Sequence, residues 1–137
     1  MQVKDIMTKN VEFININNTA QQAAMMMKSG NYGSIPVERN NKLAGMVTDR
    51  DLALRVVAEG KDPKSVTIAE CMTAGIKYCF DDESIETACD SMIQSRLRRL
   101  PVLNRDKKLV GIVSLTDIAV HEEPLTATHE TFQQVCH

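Results

Sequence analysis

No apolar run in the chain approaches the ~20 residues that a membrane-spanning helix needs, so no span is expected. The opening Met1-Gln2-Val3-Lys4-Asp5 has no charged region leading into an apolar one. No secretory signal is expected, therefore, and the expected location is the cytoplasm. Basic charge is not in excess: 16 Lys and Arg stand against 18 Asp and Glu, a net charge of −2 and a pI of about 5.9. That balance argues against a sequence-independent grip on a phosphate backbone, and nucleic acid is not an expected partner. The four cysteines, Cys71, Cys79, Cys89 and Cys136, form no CxxC and have no matched spacing. Cys71 and Cys89 read as small apolar fillers in a reducing compartment rather than as disulfide or redox residues. A Walker loop, a GxGxxG and any Ser-His-Asp or Cys-His order are also missing, so nothing pairs a nucleophile with a base and no enzyme is expected.

What is present is one pattern, written twice. Met7 to Val37 aligns with Met72 to Val102 at a constant offset of 65, matching Met7-Thr8 with Met72-Thr73, Ala23 with Ala88, Met27 with Met92, and Pro36-Val37 with Pro101-Val102. After one inserted residue the offset becomes 66, and Lys42-Leu43-x-Gly45-x-Val47-Thr48-x-x-Asp51 falls on Lys108-Leu109-x-Gly111-x-Val113-Ser114-x-x-Asp117. Ordered matches over about 50 residues point to duplication. Two copies of one unit usually bury their apolar faces against each other, which generates a pseudo-twofold axis and two related clefts. At 137 residues the chain is the size of one compact domain, burying roughly two-thirds of its unfolded surface.

Alternation of apolar and polar residues predicts a strand over 11–16. Thr19 is the expected N-cap of a helix with inner residues Ala20, Ala23, Ala24 and Met27, and Gly30 stands where its C-cap is expected. Strands over 34–38 and 43–47 follow, separated by a turn at Asn40-Asn41, then a helix over 50–59. The second copy predicts a strand over 76–80, a helix capped by Ser84 with inner residues Ile85, Ala88, Met92 and Ile93, strands over 100–103 and 109–113, and a helix over 116–121. The expected fold is α/β: two tandem β-α-β-β-α repeats, residues 1–60 and 70–121, joined by a polar linker over 61–69 containing Pro63 and followed by a polar tail over 122–137.

The recurring Gly-apolar-Val-(Thr/Ser)-x-x-Asp segment ends a strand, turns and starts a helix. It points the Thr48 or Ser114 hydroxyl and the unpaired N–H groups of the first helical turn the same way, an arrangement that favours an anion. Asp51 and Asp117, one turn in, accept hydrogen bonds only and suit the two hydroxyls of a ribose. Ordinary helix capping explains a single such segment at least as well. Its appearance twice favours ligand binding.

With its two Met-Thr openings, Ser34-Ile35-Pro36-Val37 and Arg99-Leu100-Pro101-Val102, and GMVTDRD at 45–51 beside GIVSLTD at 111–117, the chain resembles a tandem cystathionine β-synthase (CBS) domain pair, or Bateman module, over about residues 1–121. The resemblance implies two clefts for adenosine-containing ligands, each built crosswise from both repeats. Carried over by position, one takes Val11, Glu12, Tyr32, Gly33 and Ser34 with Ile112, Ser114, Thr116 and Asp117. The other takes Ile76, Lys77, Leu97, Arg98 and Arg99 with Met46, Thr48, Arg50 and Asp51. Glu12 and Lys77 are expected to act through backbone groups, because an adenine edge needs one donor and one acceptor. Arg50, Arg98 and Arg99 all belong to the second cleft, which is therefore expected to prefer the phosphorylated ligand. Solvated surface charges, or pairs with Asp49, Asp51 or Asp106, are the alternative for these arginines.

The resemblance implies a non-enzymatic regulatory module for AMP, ADP, ATP or a related adenosyl ligand, with no cofactor and no metal. It also implies a homodimer formed through helices, with Met26 facing a partner helix, and output to a separate protein. The rival expectation is a structural dimeric scaffold with empty clefts. His121, His129, Cys136 and His137 match no zinc spacing and read as surface residues.

Overall fold

The structure is a computed structural model describing residues 1–121. It divides into two compact units: Glu12–Ile76, and Met1–Val11 together with the chain from Lys77 onward. The units do not coincide with the sequence repeats. Each repeat's Met-Thr opening is built into the unit that carries the other repeat's sheet.

In the Glu12–Ile76 unit the elements are β1 (Ile14–Asn15), α1 (Ala20–Gly30), β2 (Ser34–Arg39), β3 (Lys42–Thr48), α2 (Asp49–Leu52), a π-helical segment Ala53–Val57, α3 (Ile68–Cys71) and β4 (Thr73–Ala74). The sheet order is β1-β2-β3-β4, with β1 parallel to β2 and the other pairs antiparallel. β1 is much shorter than the strand expected over 11–16. It is an edge strand, and Asn15 ends it by turning the chain: its N–H donates to Asn18 Oδ1 (3.0 Å) and its own Oδ1 accepts from Asn17 N (2.9 Å).

α1 starts as expected. Thr19 Oγ1 accepts from Gln22 N (3.2 Å) while Gln22 Oε1 accepts from Thr19 N (2.9 Å), a reciprocal capping box. Its end differs from expectation: the left-handed cap is Asn31 (φ 56°) and Gly30 is the last helical residue. Gly30 is small for a packing reason, since a Cβ there would collide with the Tyr32 ring. Ala20, Ala23 and Met27 face the core with Ile35, Val37, Val47, Val56 and Ile68, each worth roughly 1.5–3 kcal/mol for the larger side chains. Ala24, expected on that face, is exposed. Met26 is half-buried and, with Phe13 and Met25, lines an open groove of about 490 Å³ beside β1.

The helix expected over 50–59 begins one residue earlier and widens to π geometry at Ala53, where Ala58 N donates to Ala53 O (2.8 Å). In the segment expected as a polar linker over 61–69, Val66 O accepts from Ala20 N (2.9 Å), Pro63 O accepts from Gln21 N (3.0 Å), and Val66 is buried. α3 and β4 were not expected; four and two residues are too short for any periodicity to register.

The other unit contains a 3-10 turn (Val3–Asp5), β5 (Cys79–Phe80), α4 (Ile85–Ser95), β6 (Arg99–Leu103), β7 (Leu109–Ser114) and α5 (Leu115–His121). Its sheet order is β5-β6-β7, and Thr8 and Ile112 exchange both backbone hydrogen bonds (2.8 and 3.0 Å) at the place where β4 meets β3 in the first unit. Both sheets carry a register shift at the same step, Val37/Glu38 and Val102/Leu103. The inserted residue falls in the hairpin turn: Asn40-Asn41 (φ 52° and 65°) closes the first, and a longer loop with Lys107 (φ 62°) closes the second. That loop is held to the start of α4 by a bidentate Arg105–Asp82 pair (2.8 and 2.9 Å), with the guanidinium over the Phe80 ring. Ile85, Ala88, Cys89 and Met92 of α4 are buried, as are Val3 and Ile6 from the amino-terminal segment. Ile93 is half-buried against the same core.

Candidate functional site

The recurring corner has the same geometry in both units. Thr48, extended at φ −119°, ψ 163°, caps α2. Its Oγ1 accepts from Asp51 N (3.1 Å) and Asp51 Oδ2 accepts from Thr48 N (2.9 Å). In the second copy Ser114 Oγ accepts from Asp117 N (3.0 Å) and Asp117 Oδ2 accepts from Ser114 N (3.0 Å). Capping, the alternative weighed for this segment, is therefore realised at both corners. It engages only one oxygen of each carboxylate, and Oδ1 is left for other donors.

Around Asp51 the expected residues Met46, Thr48 and Arg50 lie in one unit with Glu12, Tyr32, Gly33, Ser34 and Ile76. Ser34 pairs with Thr48 across β2 and β3, Met46 pairs with Thr73, and Gly33 O accepts from Asp49 N (2.9 Å). A Cβ on Gly33 would stand 2.9 Å from Asp49 Oδ2, the end of a side chain that can turn aside. Tyr32 donates its hydroxyl to Glu12 Oε2 (2.5 Å). The carboxylate holding that proton, helped by partial burial, pushes the phenol up to about 12. Glu12 thus has a side-chain role beside the backbone role expected of it. Arg50 is exposed, and its side chain makes no ion pair among the described residues.

Val11, Lys77, Leu97, Arg98, Arg99, Ile112, Ser114, Thr116 and Asp117 fall in the other unit. Arg99 pairs with Ser114 across β6 and β7, and Arg98 O accepts from Leu115 N (2.9 Å), which brings Arg98, Arg99 and the Ser114–Asp117 corner together. Arg98, Arg99, Thr116 and Lys77 are exposed, Ile112 and Val11 half-buried, and Leu97 packs on the core.

Two residues at the Asp51 corner were missed. Thr73 Oγ1 donates to Asp51 Oδ1 (3.2 Å), and Arg55 Nε lies 4.0 Å from the same oxygen. The signals existed: Thr73 belongs to the duplicated Met-Thr opening, and Arg55 follows Asp51 at the i+4 helical spacing that brings opposite charges together.

Cys71, Cys79 and Cys89 are buried and form no disulfide among the described residues. Desolvation, with neighbouring carboxylates, pushes Cys79 up to about 12 and raises Cys71, the opposite of what a nucleophile needs. Among the described residues no three His, Cys, Asp or Glu side chains converge to hold a metal, and no helix is long and apolar enough to cross a membrane. His121 is exposed at the end of α5, while His129, Cys136, His137 and the expected tail lie outside the described residues.

Two β-α-β-β-α repeats, each closing on a capped Asp corner, define a tandem pair of CBS domains. The chain belongs to the CBS domain family, whose model matches residues 3–58 and 68–122. It is 42% identical over 120 residues to the CBS domain-containing protein YhcV of Bacillus subtilis, covering 88% of this chain and 84% of that one. Its fold resembles the crystal structure of Hypoxic Response Protein I with two coordinated zinc ions (TM-score 0.81, 33% identity, 90% of this chain and all of that one). It also resembles the CBS domain pair of protein MJ0100 in complex with methylthioadenosine and S-adenosyl-L-methionine (TM-score 0.74, 28% identity, 88% of this chain and 94% of that one).

Proposed function

We propose that this CBS pair is a non-enzymatic regulatory module that binds an adenosine-containing ligand, AMP, ADP, ATP or a related adenosyl compound, at the Thr48–Asp51 and Ser114–Asp117 corners. The observation that carries the reading is the duplicated corner, in which a hydroxyl and a carboxylate stand together at a strand-to-helix turn with one carboxylate oxygen outside the cap. The adenosyl ligands of the MJ0100 complex support the ligand class. Arg50 beside Asp51, and Arg98 and Arg99 beside Ser114, are the side chains we assign to phosphate oxygens, which favours a nucleotide over the bare nucleoside. A charge-assisted hydrogen bond from a ribose hydroxyl to an aspartate is worth on the order of 1.5–3 kcal/mol. The ligand acts by differential affinity for two arrangements of the module or its dimer, and the output passes to a separate partner. Buried cysteines outside any disulfide among the described residues suit the reducing cytoplasm.

Thermal unfolding with millimolar AMP, ADP, ATP and S-adenosylmethionine tests this. A ligand at 100 times its Kd adds about 2.7 kcal/mol of stability by mass action. We expect at least one compound to raise the midpoint. No shift with any of them favours the scaffold reading instead.

A further inference from the structure

The two carboxylates of the repeated corner are held differently, by residues that the duplication did not preserve in role. Asp51 Oδ2 takes the Thr48 N–H, while Oδ1 takes the Thr73 hydroxyl (3.2 Å) and faces the Arg55 guanidinium (4.0 Å). Arg55 is itself fixed, donating from Nη1 to Met72 O (2.6 Å) and to Cys71 O (3.4 Å). Asp51 is 9% exposed, the single buried charged side chain among the described residues. Asp117 is half-buried, and its Oδ2 takes the Ser114 N–H. No second hydrogen bond or ion pair reaches the Asp117 side chain from the described residues. The positions matching Thr73 and Arg55 are Thr8, which bridges Ile112 through its backbone without bonding Asp117, and His121, exposed at the end of α5. The backbone differs in the same place: Arg55 sits in the π-helical segment, whereas α5 stays α-helical through His121.

Resting on the adenosyl reading above, we propose that Asp51 is occupied by its own chain, through Thr73 and Arg55, so that selectivity for a ribose diol resides in Asp117. A carboxylate offers about four acceptor positions. A diol arriving at Asp51 meets a carboxylate already carrying one internal donor on each oxygen and competes with a guanidinium already anchored on two carbonyls, so its gain there is reduced. At Asp117 the ligand meets an oxygen with no such donor among the described residues, and the hydroxyl contact is a net addition. The two corners therefore differ in sugar selectivity although their capping geometry is the same.

Calorimetric titration of the full chain with AMP and 2′-deoxy-AMP tests the assignment. Asp51→Ala, which leaves the Asp117 corner, is expected to keep a preference for AMP of about tenfold or more. Asp117→Ala, which leaves the Asp51 corner, is expected to discriminate by less than about threefold. Adding Thr73→Val or Arg55→Leu to Asp117→Ala removes the internal hydroxyl donor or the facing cation and is expected to restore discrimination. The two substitutions are independent, so one remains informative where the other weakens the fold. Equal discrimination by the two single variants, or none regained in both double variants, overturns the proposal while leaving the adenosyl reading intact. Failure of AMP to bind the unmodified chain or any variant overturns both.

Discussion

A single proton held between Tyr32 and Glu12 illustrates how one contact fixes the behaviour of a residue. The neutral phenol donates to the carboxylate, and ionising it would place two negative charges side by side, so the folded-state value rises above the usual 10 to about 12. A raised folded pKa contributes stability that is fully present below pH 10 and is lost as pH rises through about 12. Spectrophotometric titration of phenolate absorbance is expected to show this late step in the unmodified chain. Tyr32→Phe should abolish it, and Glu12→Gln should bring it back towards the ordinary tyrosine range. A late step that survives Tyr32→Phe assigns it elsewhere.

Among the elements, the short β4 strand does the most with the least. It is two residues long, yet it brings Thr73 to Asp51 and is pinned against β3 because Gly45 has no side chain. A Cβ at Gly45 would run into the Thr73 carbonyl oxygen, with Ala74 Cα at 3.3 Å. The second copy repeats the device, with a Cβ at Gly111 meeting the Thr8 carbonyl oxygen at 2.8 Å. Backbone cannot rotate away as a side chain can, so Gly45→Ala must push β4 off the sheet. The expected loss is about 1–3 kcal/mol in denaturant unfolding. A change below about 0.5 kcal/mol would mean that the strand is not held by this contact.

For the molecule as a whole, exposed apolar side chains suit the homodimer we propose. Val57 is 74% exposed, and Leu54 on the same π-helical segment and Met25 on α1 are also exposed. Such residues on helices of one unit fit the proposed homodimer. Light scattering of the unmodified chain is expected to give twice the protomer mass. Val57→Asp, which sets a charge into that surface, should weaken association by at least about tenfold. Identical dimer mass at all concentrations in both proteins would move the interface elsewhere.

The repeat, the order of its elements, the caps at Thr19 and Ser84 and the paired Asp corners were all legible in the linear chain, because each follows from local chemistry: periodicity, turn preference and side-chain hydrogen bonding within a few residues. Boundaries were less legible where neighbours decide them. Asn15 ends β1 through its own turn, and Gly30 is dictated by a ring two residues away rather than by the helix cap. Only the tertiary structure revealed that each Met-Thr opening is built into the unit carrying the other repeat's sheet, which sets Thr73 on Asp51 while no second donor reaches Asp117 from the described residues. Duplicated sequence determines like corners. The contact of Thr73 with Asp51, 22 positions apart, which no local pattern encodes, made those corners unlike.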